Sequence, residues 1–238
     1  MSAIVSGRAS RIVRERSASR TPIVAFAAGL TTLVLLAALH ALSPEFDPSW
    51  RVLSEYANGH YGWVLALMFT CWAVSTWTLP FALWPYLKTT SGRIGLSFLI
   101  AAGVGEALAA AFDINQPLHG LAGLLGVGGL PVAAMLTSTA LRRSPTWSSQ
   151  GSTLIWIANL TWIMVVVMVT SLVTMFLTYV HAGGHVPADG KSLPLGTSLP
   201  IGTIAVAGYA NRLLVIVNCI WVLAAAALTV KAESREVR

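Results

Sequence analysis

Charge is scarce in this chain. Of 238 residues, 15 are Lys or Arg and 9 are Asp or Glu, 10% together, against about 25% in a typical soluble domain. Too few polar groups remain to wet an aqueous surface, which excludes a soluble enzyme and a disordered chain alike. Cysteine is nearly absent too: Cys71 and Cys219 both lie inside apolar runs, so a secreted disulfide scaffold is excluded. The sequence holds no phosphate-binding loop of the Walker type, no Gly-x-Ser-x-Gly elbow and no dinucleotide fingerprint, and no cofactor is expected. Apolar side chains make up 55% of the residues and the mean hydropathy is +0.72. The expected fold is all-α, an integral membrane bundle.

A bilayer core about 30 Å thick needs about 20 apolar helical residues. Six stretches meet that length: Pro22 to Leu42, Tyr61 to Tyr86, Ile94 to Asp113, His119 to Leu141, Thr153 to Val180, and Tyr209 to Val230. Breakers separate them, among them Ser43-Pro44, Asn115 to Pro117, Ser144-Pro145 and a Gly/Pro-rich stretch from Ala182 to Gly208. The expected domains are a disordered basic tail over 1–21, one six-helix unit over 22–230, and a second tail over 231–238. The first stretch lacks a good small-x-small cleavage site and reads as an anchor.

Twelve of the fifteen basic residues fall before the first span, in the second and fourth connections, or after the sixth; only Arg51, Lys191 and Arg212 fall on the other side. Basic residues near short loops stay cytoplasmic, so both termini are expected in the cytoplasm. The formal charge of +6 is thereby topogenic, and no nucleic-acid partner is expected. Membrane lipids are the expected partners, with a second copy or a membrane-complex subunit beside them.

All five histidines and six of the nine acids sort to the outer side, a bias the orientation rule does not demand. Glu106 lies within the third span, seven residues before Asp113 and so about 10 Å deeper. An acid at that depth reads as functional or as paired within the bundle. The small residues around it, Ala101 to Gly105 and Ala107 to Ala111 among them, put it against protein. Its expected partners are Arg212, His119 and Asn211, and a structural Glu106–Arg212 or Asp113–Arg212 ion pair is the plain alternative to function. Gly120, Gly123, Gly126 and Gly129, three residues apart before Pro131, read as a helix-packing stripe with a proline kink. The loop from Ser43 to Trp63 interleaves Trp50, Leu53 and Tyr56 with charges. It reads as a short interfacial helix capped by Asp47 or Ser49, with Glu55 over the mouth formed by Asp113, His119 and Arg212. Trp50, Tyr61, Trp63, Trp77, Trp84 and Trp147 read as an aromatic belt. His181 and His185 have helical zinc spacing, but two intervening glycines and the lack of a nearby acid argue against a metal.

Ser54-Glu55-Tyr56 with Gly59 and Tyr61-Gly62-Trp63, then Phe112-Asp113, Leu118-His119-Gly120-Leu121-Ala122-Gly123, and Asn211-Arg212-Leu213-Leu214 occur in order at matching span ends. Together they resemble the bacterial membrane family catalogued as domain of unknown function 998, over roughly 25 to 230. The resemblance implies a multi-pass plasma-membrane protein, brings no activity with it, and covers Glu55, Asp113, His119, Asn211 and Arg212. The candidate polar site is therefore Glu55, Glu106, Asp113, His119, Asn211 and Arg212. One expectation is an outward-facing binding protein for a lipid headgroup or small polar solute, with Arg212 holding an anion. A second is an intramembrane enzyme on a lipid or isoprenoid substrate, with Glu106 or Asp113 as acid or base and His119 as shuttle. A third is a structural subunit of a membrane complex.

Overall fold

The computed structural model describes the backbone of residues 2–187 and 192–236, and the side chains of 20–147, 150–187 and 192–234. Asp189 and Lys191 lie outside the described residues, as do the side chains of Arg8, Arg11, Arg14, Arg16, Arg235 and Arg238.

Seven α-helices form, with no strand among the described residues: α1 Ser2–Leu42, α2 Gly62–Leu83, α3 Thr90–Ala111, α4 Pro117–Gly123, α5 Gly129–Arg142, α6 Ser148–His181 and α7 Ala207–Glu236. A π-helical turn, Leu124–Gly128, joins α4 to α5, so these two make one crossing. Six segments are long and apolar enough to span a membrane: Arg20–Leu42, Gly62–Leu83, Thr90–Ala111, Pro117–Arg142, Gln150–His181 and Ala207–Ser234. The protein is an all-α, multi-pass membrane bundle. Helix α1 carries its backbone back through the basic arm, with the span beginning at Arg20.

The crossings pack in a ring in chain order, α1 closing against α7, with α2 and α7 also touching across the middle. Apolar side chains such as Leu39, Met68, Leu79, Leu99, Leu130 and Trp221 fill the core. Lipid tails are as apolar as leucine, so burial alone does not choose helix partners, and interhelical hydrogen bonds add about 0.6 kcal/mol each on average. Three such bonds pin neighbours: Ser75 Oγ donates to Ala25 O at 2.6 Å, Trp77 Nε1 to Ile100 O at 3.0 Å, and Trp221 Nε1 to Ser138 Oγ at 3.0 Å. Helix α3 starts where Thr89 accepts from Gly92 N, and α4 starts at Pro117, which needs no donor in a first turn. The π turn precedes Pro131, which lacks an N–H for the carbonyl of Val127 and crowds it. A widened turn, in place of a sharp kink, absorbs the misfit.

The two ends of the bundle differ. At the terminal end, the short connections meet through Arg93 over the Trp84 ring, 3.3 Å away, and a Tyr86–Trp147 ring contact. At the other, capped end, residues 43–61, 112–116 and the described parts of 182–206 fold over the bundle. Asn58 Nδ2 donates to Ser192 Oγ at 3.0 Å, Asn115 Nδ2 to Asn58 Oδ1 at 2.9 Å, and Gly208 N to Ser49 O at 2.9 Å.

Three local expectations are corrected. The first long loop holds a 3-10 helix, Leu53–Asn58, which is a plug and not a surface helix, since Leu53, Glu55 and Tyr56 are buried. Neither Asp47 nor Ser49 caps it; Val52 N donates to Glu55 Oε2 at 3.1 Å instead, while Asp47 accepts from Ser49 N and Oγ. The aromatic belt loses two members, because Trp50 and Trp147 are buried in the bundle, whereas Trp63 and Trp84 are exposed. The glycine stripe packs along only half its length. A Cβ on Gly120 or Gly123 would meet no heavy atom within 4 Å, while Gly126 and Gly129 lie in ordinary contact with α3.

Candidate functional site

Arg212, one turn into α7 and 6% exposed, makes no ion pair with the acids among the described residues. Its Nε donates to His40 Nε2 at 2.6 Å, Nη1 to Arg51 O at 2.7 Å and to Gly208 O at 2.9 Å, and Nη2 to Tyr56 Oη at 2.9 Å. His40 Nδ1 lies 2.7 Å from Leu36 O. A carbonyl only accepts, so Nδ1 carries the proton and Nε2 offers its lone pair to Arg212. The expected Glu106–Arg212 and Asp113–Arg212 pairs are therefore replaced by a clasp of neutral acceptors from α1, the plug and α7. Such a guanidinium has four of its five donors engaged within the protein.

At the capped end, Arg51 and Glu55 form an ion pair, Nη1 to Oε1 at 3.0 Å, with both side chains buried. Arg51 also donates to Leu193 O and Pro194 O and lies 4.0 Å from the Trp50 ring centroid, so it fastens the plug to the 182–206 segment. Burial pushes the Glu55 carboxyl up, against the opposing pull of Arg51 and the Val52 amide. Asp47, exposed and hydrogen-bonded by Ser49, is held below the usual carboxylate range. Glu55 thus pairs with Arg51 and the Val52 amide, and makes no hydrogen bond to Asp113, His119 or Arg212. Asp113 caps its own turn, accepting from Asn115 N at 2.8 Å and Gln116 Nε2 at 3.5 Å.

Glu106, His119 and Asn211 do converge. They line one cavity of about 70 Å3 beneath the plug, with Ser54, Trp72, Phe69 and the π-turn residues Gly126 and Val127. Its roof is a hydrogen bond between His119 Nε2 and Ser54 Oγ at 2.9 Å; His119 Nδ1 faces Phe112 O at 3.0 Å and so carries its proton. Asn211 Oδ1 accepts from Leu53 N at 2.8 Å, holding the first turn of the plug. Glu106 is 2% exposed, and neither of its carboxyl oxygens has a hydrogen-bond partner.

Beside the plug runs a larger groove of about 530 Å3. Trp50, Val52, Leu172, Val173, Phe176 and Leu199 give it apolar walls, and Glu55 and Ser192 are its polar edge. It exists because α6 has no buried residue from Trp162 to its end, so its capped half stands off the bundle. Adjoining it is a polar pocket of about 490 Å3 lined by Glu45, Asp47, Ser49, Thr197, Ser198 and Thr203; the two share Trp50 and Leu199.

Of the six expected site residues, three share the cavity, Glu55 borders the groove, and Asp113 and Arg212 shape the chain around them. Sequence reading placed Ser54 and Tyr56 in a family motif and Arg51 on the outer side without giving them a role, and did not single out His40, Trp72 or Asn218. Arg51 and Glu55 carried a usable signal in their four-residue spacing, and Asn218 in being an amide inside an apolar span. The others became partners only through folding.

No curated protein and no solved structure matches the chain. The family model described as protein of unknown function (DUF998) matches residues 26–228, which takes in the plug, the Glu106 cavity and both clasp arginines, and the chain belongs to that family.

Proposed function

We propose that this protein binds a lipid-like amphiphile at the outer face of a bacterial plasma membrane. The apolar chain occupies the α6 groove and a hydrogen-bond-donating headgroup occupies the adjoining pocket. The observation that carries this reading is the shared wall: Trp50 and Leu199 border both the apolar groove and the polar pocket. Pocket carboxylates Glu45 and Asp47 are acceptors, its hydroxyls accept or donate, and Arg51 gives three of its N–H groups to Glu55 and two carbonyls. An amine or polyol head suits that lining; a bare phosphate does not. A combined volume in this range matches sites for drug-sized or larger ligands, about 300–1,000 Å3 each. The Glu106 cavity falls far below it, which argues against the intramembrane enzyme reading with Glu106 and His119 as acid and base.

The reading requires the capped end to face outward. A reporter fused after Arg238 is expected to be cytoplasmic and one inserted near Asp189 external; the opposite pattern removes the outer-face assignment. Native mass spectrometry with lipidomics, on protein extracted with its own membrane lipids, tests the binding. Val173→Trp, which fills the groove, is expected to reduce the retained lipid by about tenfold, equivalent to about 1.4 kcal/mol. Val166→Trp, on an exposed part of the same helix, is expected to retain it. Equal retention in both would mean ordinary boundary lipid. A second protein chain with no retained lipid would favour the structural-subunit reading.

A further inference from the structure

Among the described residues, buried polar side-chain atoms without protein partners occur singly on Ser43, Arg93, Trp147 and Thr203, and six more gather in one part of the bundle. The six are both Glu106 oxygens, Trp72 Nε1, Thr76 Oγ1 and both side-chain atoms of Asn218. Trp72 and Glu106 line the cavity. Thr76 lies one helical turn beyond Trp72 on α2, its hydroxyl toward Glu106 but short of hydrogen-bond geometry. Asn218 lies one turn beyond the cavity-lining Leu214 and Val215 on α7. Each buried, unsatisfied group costs about 1–3 kcal/mol, and lipid offers no compensation. Six such atoms on three facing helices are more than packing explains. Water is the partner that satisfies donors and acceptors together, and 70 Å3 is room for about two molecules at about 30 Å3 each. The backbone agrees, because the π turn that borders the cavity is a distortion often found at functional sites.

We propose that Glu106 is an internal proton-exchange site, hydrated by this cavity and reached from the capped face past the Ser54–His119 roof. The exchange is a transfer between oxygens: a cavity water chain delivers a proton to a Glu106 carboxylate oxygen and takes it back, and only O–H bonds form and break. The titratable groups around Glu106 among the described residues are His119 from α4 and Cys219 from α7; α2 presents the non-titrating Trp72 and Thr76. No lysine or arginine lines the cavity to hold Glu106 as a fixed ion pair, since Arg212 is engaged above it, and both ring nitrogens of His119 are taken by Phe112 O and Ser54 Oγ. This inference is independent of the amphiphile reading.

Infrared difference spectroscopy on the full chain, reconstituted in phosphatidylcholine–phosphatidylglycerol vesicles, tests it through the carboxyl C=O stretch. A band that shifts on exchange into D2O, changes amplitude with pH, and disappears in Glu106→Gln is the expected result. Glu106→Gln keeps the side-chain volume, and its unfolding temperature is measured alongside as a check on folding. Gly123→Leu puts a side chain into open space at the cavity wall. It is expected to slow the D2O shift by roughly tenfold or more, because exchange then waits for local opening. A Glu106 band that neither exchanges nor titrates overturns the proposal in favour of a dry structural acid. A band that responds to sodium or ammonium ions at constant pH overturns it in favour of a cation site.

Discussion

Arg212→Ala is expected to unfold at a much lower temperature than the parent in detergent, followed by the emission of the nine tryptophans. The guanidinium joins His40 on α1, the Arg51 carbonyl and the Tyr56 hydroxyl around the plug, and Gly208 on its own helix. Truncation leaves at least three of those acceptors facing a void. At about 1–3 kcal/mol for each buried group left unsatisfied, the loss is about 4 kcal/mol. Arg212→Lys is expected to recover little, since an ammonium on a shorter stem cannot present the planar fork to acceptors in several directions. Glu106→Gln, whose parent group makes no protein hydrogen bond, is expected to lose much less than Arg212→Ala. An Arg212→Lys protein as stable as the parent would show that charge alone, and not the fork, holds the cap.

Gly105→Ala is expected to be the most damaging small substitution among the glycines of the α3–α4 contact. Its Cβ would lie 2.4 Å from Gly126 N and 2.7 Å from Ala122 O, and both are backbone atoms with no rotamer to yield. Overpacking of this kind costs about 1–3 kcal/mol, occasionally more, and here it would push the π turn away from Glu106. By contrast, Gly120→Ala and Gly123→Ala enter open space and are expected to be neutral or to stabilise by up to about 1 kcal/mol through helix propensity. Parallel unfolding curves for the three variants check the ordering. If Gly123→Ala were the worst, the regular stripe on α4 would be the packing surface after all.

The glycine contrast shows why a periodic pattern reads only one side of a contact. Gly120, Gly123, Gly126 and Gly129 announce a narrow helix face, but whether a neighbour comes close depends on the partner helix. The close approach is set by Gly105 on α3, one of the small residues around Glu106 that the sequence marks for close helix packing. Arg212 teaches the same lesson in electrostatic form. Its position near a span end and near two acids suggested an ion pair, because charge is what a sequence displays. The acceptors that hold it are carbonyls, a neutral imidazole and a phenol, which carry no such sign along the chain. Glu106 was legible for the opposite reason, since an acid within an apolar run is conspicuous wherever its helix packs.

Composition and hydropathy alone were enough for six crossings and their all-α character, because a membrane leaves a chain few ways to satisfy its backbone and requires long apolar helices; the family resemblance rested instead on short motifs in order at the span ends. The distribution of Lys and Arg likewise supplied the expected direction of insertion, since insertion responds to loop charge before the bundle is packed. Folding alone decided which distant polar groups meet: Glu106, His119 and Asn211 in one cavity, and Arg212 in a neutral clasp. Those encounters depend on helix rotation and on loops crossing the capped end, set by contacts between residues as far apart as His40 and Arg212. Local spacing along the chain carries no record of such contacts, which arise from packing.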